Sequence, residues 1–333
     1  MPVLCPNCRE PIDPTVLVCP SGHRFACQDG VLLLLEAEFG RRLKAFTARL
    51  NAIRAAERKR LMDVSAYEGL PFSQLDCDDA GGRLEWRLRG YDLEIILRRL
   101  GRRRQQRILD VGAWNGWLSH RLAAQGHDVT AVDYFVDEYD GLGARKFYST
   151  NWRAIQMDLT DLSVLPSGYD VIVLNRCLQF FTDPIAYVAG VKQLLSPGGM
   201  LIITGLQFFQ DASVKAPNVA AQRRSVRERY GFELFLKPTK GYLDFDDKRR
   251  LQAQRVTLKP YPQLWLANIK SIFNRTLPRH MYGYVVADWA PTPSIGGMSE
   301  PPEIKILAKR TGLPCPATRR RVPRGGFARS RLR

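Results

Sequence analysis

ILDVGAWNGWLSHRLAAQGHDVTAVD, residues 108–133, runs from an apolar strand through a glycine turn and a short helix to a second strand that ends in a carboxylate. Arg107 to Val111 has the length and continuous apolar character of a buried strand, and Gly112 to Gly116 breaks it. Trp117 to Gln125 is helical, and Asp128 to Val132 is the next strand, closed by Asp133. This is a nucleotide-binding βαβ unit, and the turn restricts its ligand. A dinucleotide fingerprint needs small residues wherever the pyrophosphate meets bare backbone. Counted from Gly112, the second and third of those positions hold Trp114 and Trp117, which disfavours NAD and FAD.

S-adenosylmethionine makes a lighter demand, because an amino-acid tail and a sulfonium replace the phosphates. The spacing Asp110-x-Gly112-x-x-x-Gly116, followed by Asp133, suits it. Asp110 orders the turn or reaches the ligand's ammonium, and the two glycines admit the ligand to the backbone. Asp133 accepts the ribose hydroxyls. Ala113 and Trp114 lie inside the turn and belong to the same predicted cofactor site. Trp114 is either a cation–π neighbour of the sulfonium or wall packing, and packing is the preferred reading. ILDVGAWNGWLS resembles motif I of class I methyltransferases, in the subset with an aromatic residue and Asn before the last glycine.

Working outward, Trp152 to Met157 reads as a third strand. Asp158 follows it, where this fold commonly contacts the adenine amine, with Asp161 as the close competitor. Tyr169 to Leu174, YDVIVL, is apolar throughout, as a parallel strand covered on both faces should be. Asp183-Pro184 opens a helix reaching Leu195, and Ser196 to Gly199 turns into the strand Met200 to Thr204. The order DVIVLN…DP…LLSPGGMLIIT resembles the same enzyme family, over roughly Ile108 to Leu206. The fold expected is α/β, a Rossmann-like, seven-stranded, mostly parallel sheet with a small N-terminal zinc ribbon. Its organisation is read as a ribbon over 1–36, a helical linker or cap over 37–100 and a methyltransferase domain over 101–310. An insertion over 207–279 is read as a substrate lid or, by its aromatic content, as ordinary core, with Lys240 and Tyr242 as lid candidates, and a basic tail occupies 311–333. Tyr282 to Ala287 and Ile304 to Ala308 are expected to close the sheet as an antiparallel pair, and folded structure is expected to end near Lys309.

Four of the seven cysteines fall in the first 27 residues. Cys5-Pro-Asn-Cys8 and Cys19-Pro-Ser-Gly-His23 are two close pairs of ligand types that suit tetrahedral Zn²⁺, in a segment too short to build a core unaided. Cys27 either substitutes for His23 or packs as a small apolar residue, the second being preferred. CPxC, then CPxxHxF, then Gly30 and a run of leucines, resembles the zinc ribbon of bacterial 23S ribosomal RNA guanine-N1 methyltransferases. That resemblance implies Cys5, Cys8, Cys19 and His23 as ligands of a structural ion with no open position.

The chain of 333 residues carries a net charge of +17, but seven arginines lie in its last fifteen residues, and without them +10 remains. TRRRVPRGGFARSRLR is read as disordered. Glu36 to Leu100 is helical in character, interrupted by an acidic cluster at Asp76, Asp78 and Asp79 that lacks calcium-loop spacing and is read as a loop. Arg102 to Arg104 is a surface run. No apolar run reaches membrane-spanning length, and the opening MPVLCPNC is unlike a signal peptide, so the expectation is a cytoplasmic protein.

Methyl transfer is an in-line displacement, so the protein's part is alignment and exclusion of water, with a base only where the acceptor must lose a proton. Candidates lie past the fourth strand, at Asn175, Arg176 and Gln179, with Asn175 also counted in the cofactor site; His280 is a further candidate, and His120 is read as packing. The ribosomal RNA enzymes do not share the NRCLQFF found here. The function expected is S-adenosylmethionine-dependent transfer to a small-molecule, glycan or lipid-precursor acceptor. RNA base methylation is the alternative, and a non-catalytic S-adenosylmethionine-binding protein the third reading. The sequence assigns neither an acceptor atom nor an oligomeric state.

Overall fold

The central strands form where the sequence is predominantly apolar. The computed structural model describes residues 2–56, 61, 63–74, 80–103, 105–274 and 279–288. After two thiol-bearing knuckles comes a hairpin of β1 (Ala26–Gln28) and β2 (Val31–Leu34). Helices α1 (Ala37–Ala56) and α2 (Ala80–Leu100) lead to β3 (Arg107–Val111), α3 (Trp117–Ala124) and β4 (Asp128–Asp133). Then follow β5 (Arg153–Met157), β6 (Tyr169–Asn175), α4 (Pro184–Lys192) and β7 (Leu195–Phe209). Helix α4 starts where the Asp183 side chain accepts from the N–H groups of Ile185 and Ala186, with Pro184 filling the first turn. The chain ends with α5 (Ala212–Tyr230), β8 (Leu243–Asp244), α6 (Phe245–Ala253), β9 (Thr257–Pro260), α7 (Trp265–Phe273) and β10 (His280–Asp288).

One mixed sheet takes all ten strands, in the order β1-β2-β5-β4-β3-β6-β7-β10-β9 with β8 beside β7. From β2 to β7 the pairing is parallel, and β10 runs antiparallel to both of its neighbours. Side chains alternate between the two faces. Leu109, Val111, Ile172 and Leu174 pack with Ile185, Val188 and Leu251 from α4 and α6. Ile108, Val171 and Val173 pack with Leu93, Ile96, Leu118 and Leu122 from α2 and α3. Both faces are therefore covered, which is why these strands read as unbroken apolar runs.

The expected count of seven is corrected to ten. The segment from β5 to β9 is a seven-stranded sheet, and three strands extend it. Val31 to Leu34 pair in parallel with Ala154 to Met157, so the N-terminal hairpin lengthens the sheet. Strand β7 runs on past Thr204 to Phe209, and its far end pairs with the two-residue β8. The partner of β10 is Thr257–Pro260, which lies inside the stretch read as an insertion. Ile304 to Ala308, the acidic cluster 76–79, Arg104 and the tail 311–333 lie outside the described residues.

The ribbon segment does not stand apart from the rest. Leu4 N–H donates to the Val164 carbonyl at 2.8 Å, and Arg9 pairs with Asp161 at 2.6 Å. Cys5, Ile12 and Cys19 share one core with Met157, Leu159 and Val164.

Candidate functional site

The chain leaves β3 through a turn that only glycine permits at two places. Gly112 has φ +71°, and a Cβ there would fall 2.9 Å from the Cys177 Cβ; Gly116 has φ +80°, and a Cβ there would overlap the Trp152 indole. Trp114, between them, is held at φ +52°. That left-handed conformation costs about 1–2 kcal/mol for a non-glycine residue, and the end of β4 holds it in place. Asp133 Oδ2 accepts from Trp114 N–H at 2.7 Å, and its Oδ1 accepts from Phe135 N–H at 2.9 Å. Asp110 takes one bond, from the Ser119 hydroxyl at 2.7 Å; its Oδ1 is buried without a hydrogen-bond partner. Burial pushes Asp110 up to about 7, aided by the charge of Asp133, and burial pushes Asp133 to about 6.

These groups face a cavity of about 800 Å³ at the C-terminal ends of the central strands. The sheet order reverses there, with β4 on one side of β3 and β6 on the other, which is where α/β sheets open a ligand crevice. Asp110, Gly112, Ala113, Trp114, Asp133, Asn175 and Arg176 all line it. Phe46 and Leu50 from α1, Val219 from α5, and Phe180 and Phe235 give it an apolar outer wall. The Trp114 ring stacks on Trp86 of α2 at 5.8 Å, and the Arg89 guanidinium lies over both indoles at 4.9 and 5.3 Å. The Trp114 ring is thus packed in the wall of the cavity.

A buried network fixes the far end of the cavity. Asp92 of α2 is fully buried and its Oδ2 accepts from Arg176 Nε at 2.6 Å and Asn175 Nδ2 at 3.0 Å. Tyr261 donates to the other oxygen of Asp92, while its own oxygen accepts from Gly205 N–H at 2.6 Å. Asn175 also donates to the Thr204 hydroxyl at 2.8 Å. The network holds Arg176, itself at φ +57°, against the cavity. Asp92 and Tyr261 were not singled out from sequence; the one available signal is an acid set among the buried positions Leu93, Ile95 and Ile96.

Other sequence candidates go elsewhere. Asp158 does not line the cavity: Lys237 Nζ donates to both its oxygens at 2.6–2.7 Å, and the neighbouring Leu159 and Thr160 line the cavity. Asp161 is taken by Arg9. Gln179 turns back to donate to the Arg176 carbonyl at 2.9 Å and does not line the cavity. His280 packs with Phe209 and Tyr282 on β10, away from it. Lys240 pairs with Asp244 and Asp247 at the start of α6; of the expected lid, α5 reaches the cavity through Lys215, Asn218, Val219 and Gln222, and Leu234 to Lys237 and Gly241 reach it too, while Tyr242 does not. His120 is packing, stacked on Tyr148 and bonded to Thr150.

At the opposite edge of the sheet, one ligand atom from each of Cys5, Cys8, Cys19 and His23 lies within 4.8 Å of the others. Cys8 and Cys19 sulfurs are 3.5 Å apart, and His23 Nδ1 is 3.3 and 3.6 Å from the sulfurs of Cys19 and Cys5. Cys27, on β1, is not in this cluster.

Residues 83–235 match the family described as a methyltransferase domain. A ubiquinone biosynthesis O-methyltransferase from Xylella fastidiosa (strain M23) is 33% identical over 144 residues, 42% of this chain and 54% of that one. A malonyl-[acyl-carrier protein] O-methyltransferase from Hahella chejuensis is 29% identical over 110 residues, 30% of this chain and 37% of that one. The chain thus spans about half the length, or less, of these curated relatives. Among solved structures, the YcgJ protein of Bacillus subtilis aligns with a TM-score of 0.43 at 15% identity, over 61% of this chain and 100% of that one. Residues 83–235, which carry the Gly112 turn and the carboxylates beside it, are thus the part of the chain that is similar to a methyltransferase domain.

Proposed function

We propose that this protein transfers a methyl group from S-adenosylmethionine to a small-molecule, glycan or lipid-precursor acceptor. The observation that carries the reading is the unpartnered, buried Oδ1 of Asp110 beside the Gly112–Gly116 turn, at the cavity that Asp110 and Gly112 both line. A cationic amino-acid tail supplies the partner that Asp110 lacks. Asp133, already tying the turn to β4, faces the same cavity and suits the ribose hydroxyls, with Ala113, Trp114 and Asn175 completing the wall. When bound, S-adenosylmethionine supplies an electrophilic methyl group on its sulfonium. The chain's own residues align the acceptor, exclude water with Phe46, Phe180 and Phe235, and hold Arg176 in place through Asp92. A largely apolar cavity of about 800 Å³ falls in the range of small-molecule sites, and the relatives named above are both O-methyltransferases.

Cys5, Cys8, Cys19 and His23 are proposed to hold a structural Zn²⁺. Three of the six separations among these sulfur and nitrogen atoms, at 3.3–3.6 Å, are close to the edges of a tetrahedral site, and all six are within 4.8 Å. All four positions are filled by protein, so the ion's part is to fix the two knuckles against the edge of the sheet.

The test is a radiolabelled methyl-transfer screen over RNA and cell-extract fractions at low and moderate salt. Labelled small-molecule product, insensitive to salt and lost with Asp133→Ala, supports the reading. Label in RNA that falls steeply with salt selects RNA methylation instead. Binding without transfer to any fraction selects the non-catalytic reading.

A further inference from the structure

Helix α7 faces the wrong way for a helix packed on a sheet. Its inward side is polar and small: Asn268 donates to the Tyr282 carbonyl at 3.0 Å and accepts from Tyr282 N–H at 2.7 Å, and Ser271, 2% exposed, bonds to the His280 carbonyl. Its outward side carries Trp265, Leu266, Ile269, Ile272 and Phe273, from 38% to 79% exposed. At 100° per residue these five fall on one stripe, opposite Ser271. An amphipathic helix that hydrogen-bonds its polar side to its own protein leaves the apolar side for something else.

We propose that α7 is an interfacial helix that docks the protein on an anionic lipid surface. Charge decides between the occupants such a face could take. From Gln252 to Ala287 the chain has no Asp or Glu, while Arg255, Lys259, Lys270, Arg275 and Arg279 are all basic. Lys270 lies on α7 itself, exposed at the flank of the stripe. Trp265 and Phe273 at the ends of an apolar stripe, with Lys270 at its flank in a locally basic stretch of chain, is the composition that lies in the headgroup layer of an anionic bilayer. A second copy of this chain would set the same cations against one another. No helix of the described residues is long and apolar enough to cross a membrane, so attachment would be peripheral.

The experiment is sedimentation of the full chain with vesicles of phosphatidylcholine alone and with about one-third phosphatidylglycerol, at low and moderate salt, alongside gel filtration. Binding to the anionic vesicles, at least tenfold weaker for Ile269→Ser/Phe273→Ser and weaker for Lys270→Glu, is expected. The Ser variant should melt no lower than the parent, since both side chains are solvent-facing. A parent dimer that the Ser variant dissociates, with no vesicle binding, overturns the proposal in favour of a second copy. A monomer that ignores vesicles overturns it in favour of coverage by the chain's own residues beyond Asp288. Vesicle binding unchanged in the Ser variant overturns it as well.

Discussion

Asp110 and Asp133 are two buried carboxylates whose pKa values sit near neutrality before any ligand arrives. Both folded-state values lie above the unfolded value near 3.8, so the folded protein holds more protons than the unfolded one between about pH 4 and 7. The stability the pair contributes is therefore fully present below the unfolded value and lost as pH rises through the folded values. Ligand-free protein should melt at falling temperature from pH 4.5 to 7.5, by an amount on the order of a few kcal/mol, and Asp110→Asn should flatten the profile; a rising profile would contradict the assignment. A cationic ligand draws out the ionised form, so titrating S-adenosylhomocysteine near pH 7 should release a fraction of a proton. Heats measured in buffers of different ionisation enthalpy read that release, which Asp110→Asn should abolish. Gly116→Ala must take a left-handed φ and push on Trp152, and should cost at least about 2 kcal/mol in chemical denaturation. These residues were legible because they are adjacent in sequence. The ion pair of Asp158 was not legible, because its partner Lys237 is 79 residues away and nothing local to Asp158 announces it.

At the level of elements, the strands from β3 to β6 could be read to within a residue or so because burial on both faces makes them mostly apolar, with Thr130 and Gln156 as polar exceptions inside them. Strand β9 could not. TLKP is four residues at the edge of the sheet, half-exposed, with a proline, and is indistinguishable from a loop until β10 lies beside it. Helix α2 was legible as a helix, but the role of Asp92 was not, since Arg176, Asn175 and Tyr261 reach it from 83 to 169 residues away. Tyr261→Phe removes a donor from Asp92 and an acceptor from Gly205 N–H in a buried setting. That should cost about 1–3 kcal/mol in urea unfolding and loosen Arg176. An unchanged midpoint would mean the network is not holding that end of the cavity.

Across the whole molecule, the N-terminal segment reads in sequence as a separate module, yet it contributes two strands to the sheet and five side chains to the core, Cys5, Ile12, Cys19, Val31 and Leu34. What hides this is that β2, VLLL, looks the same whether it closes a ribbon or extends a neighbouring sheet. One consequence is that metal and fold should be coupled. Chelation, or Cys19→Ser, should lower the melting temperature of the full chain and not merely loosen its first residues, and metal analysis of Cys5→Ser/Cys8→Ser should show zinc lost. Zinc retained by that variant would end the four-ligand assignment. The central claim, that the Gly112 turn is an S-adenosylmethionine site, is tested most directly by calorimetric titration of S-adenosylmethionine into the full chain. Saturable binding near one equivalent, lost in Asp133→Ala while that variant still melts cooperatively, is the predicted result. No binding to the parent, or binding unaltered in the variant, would contradict it.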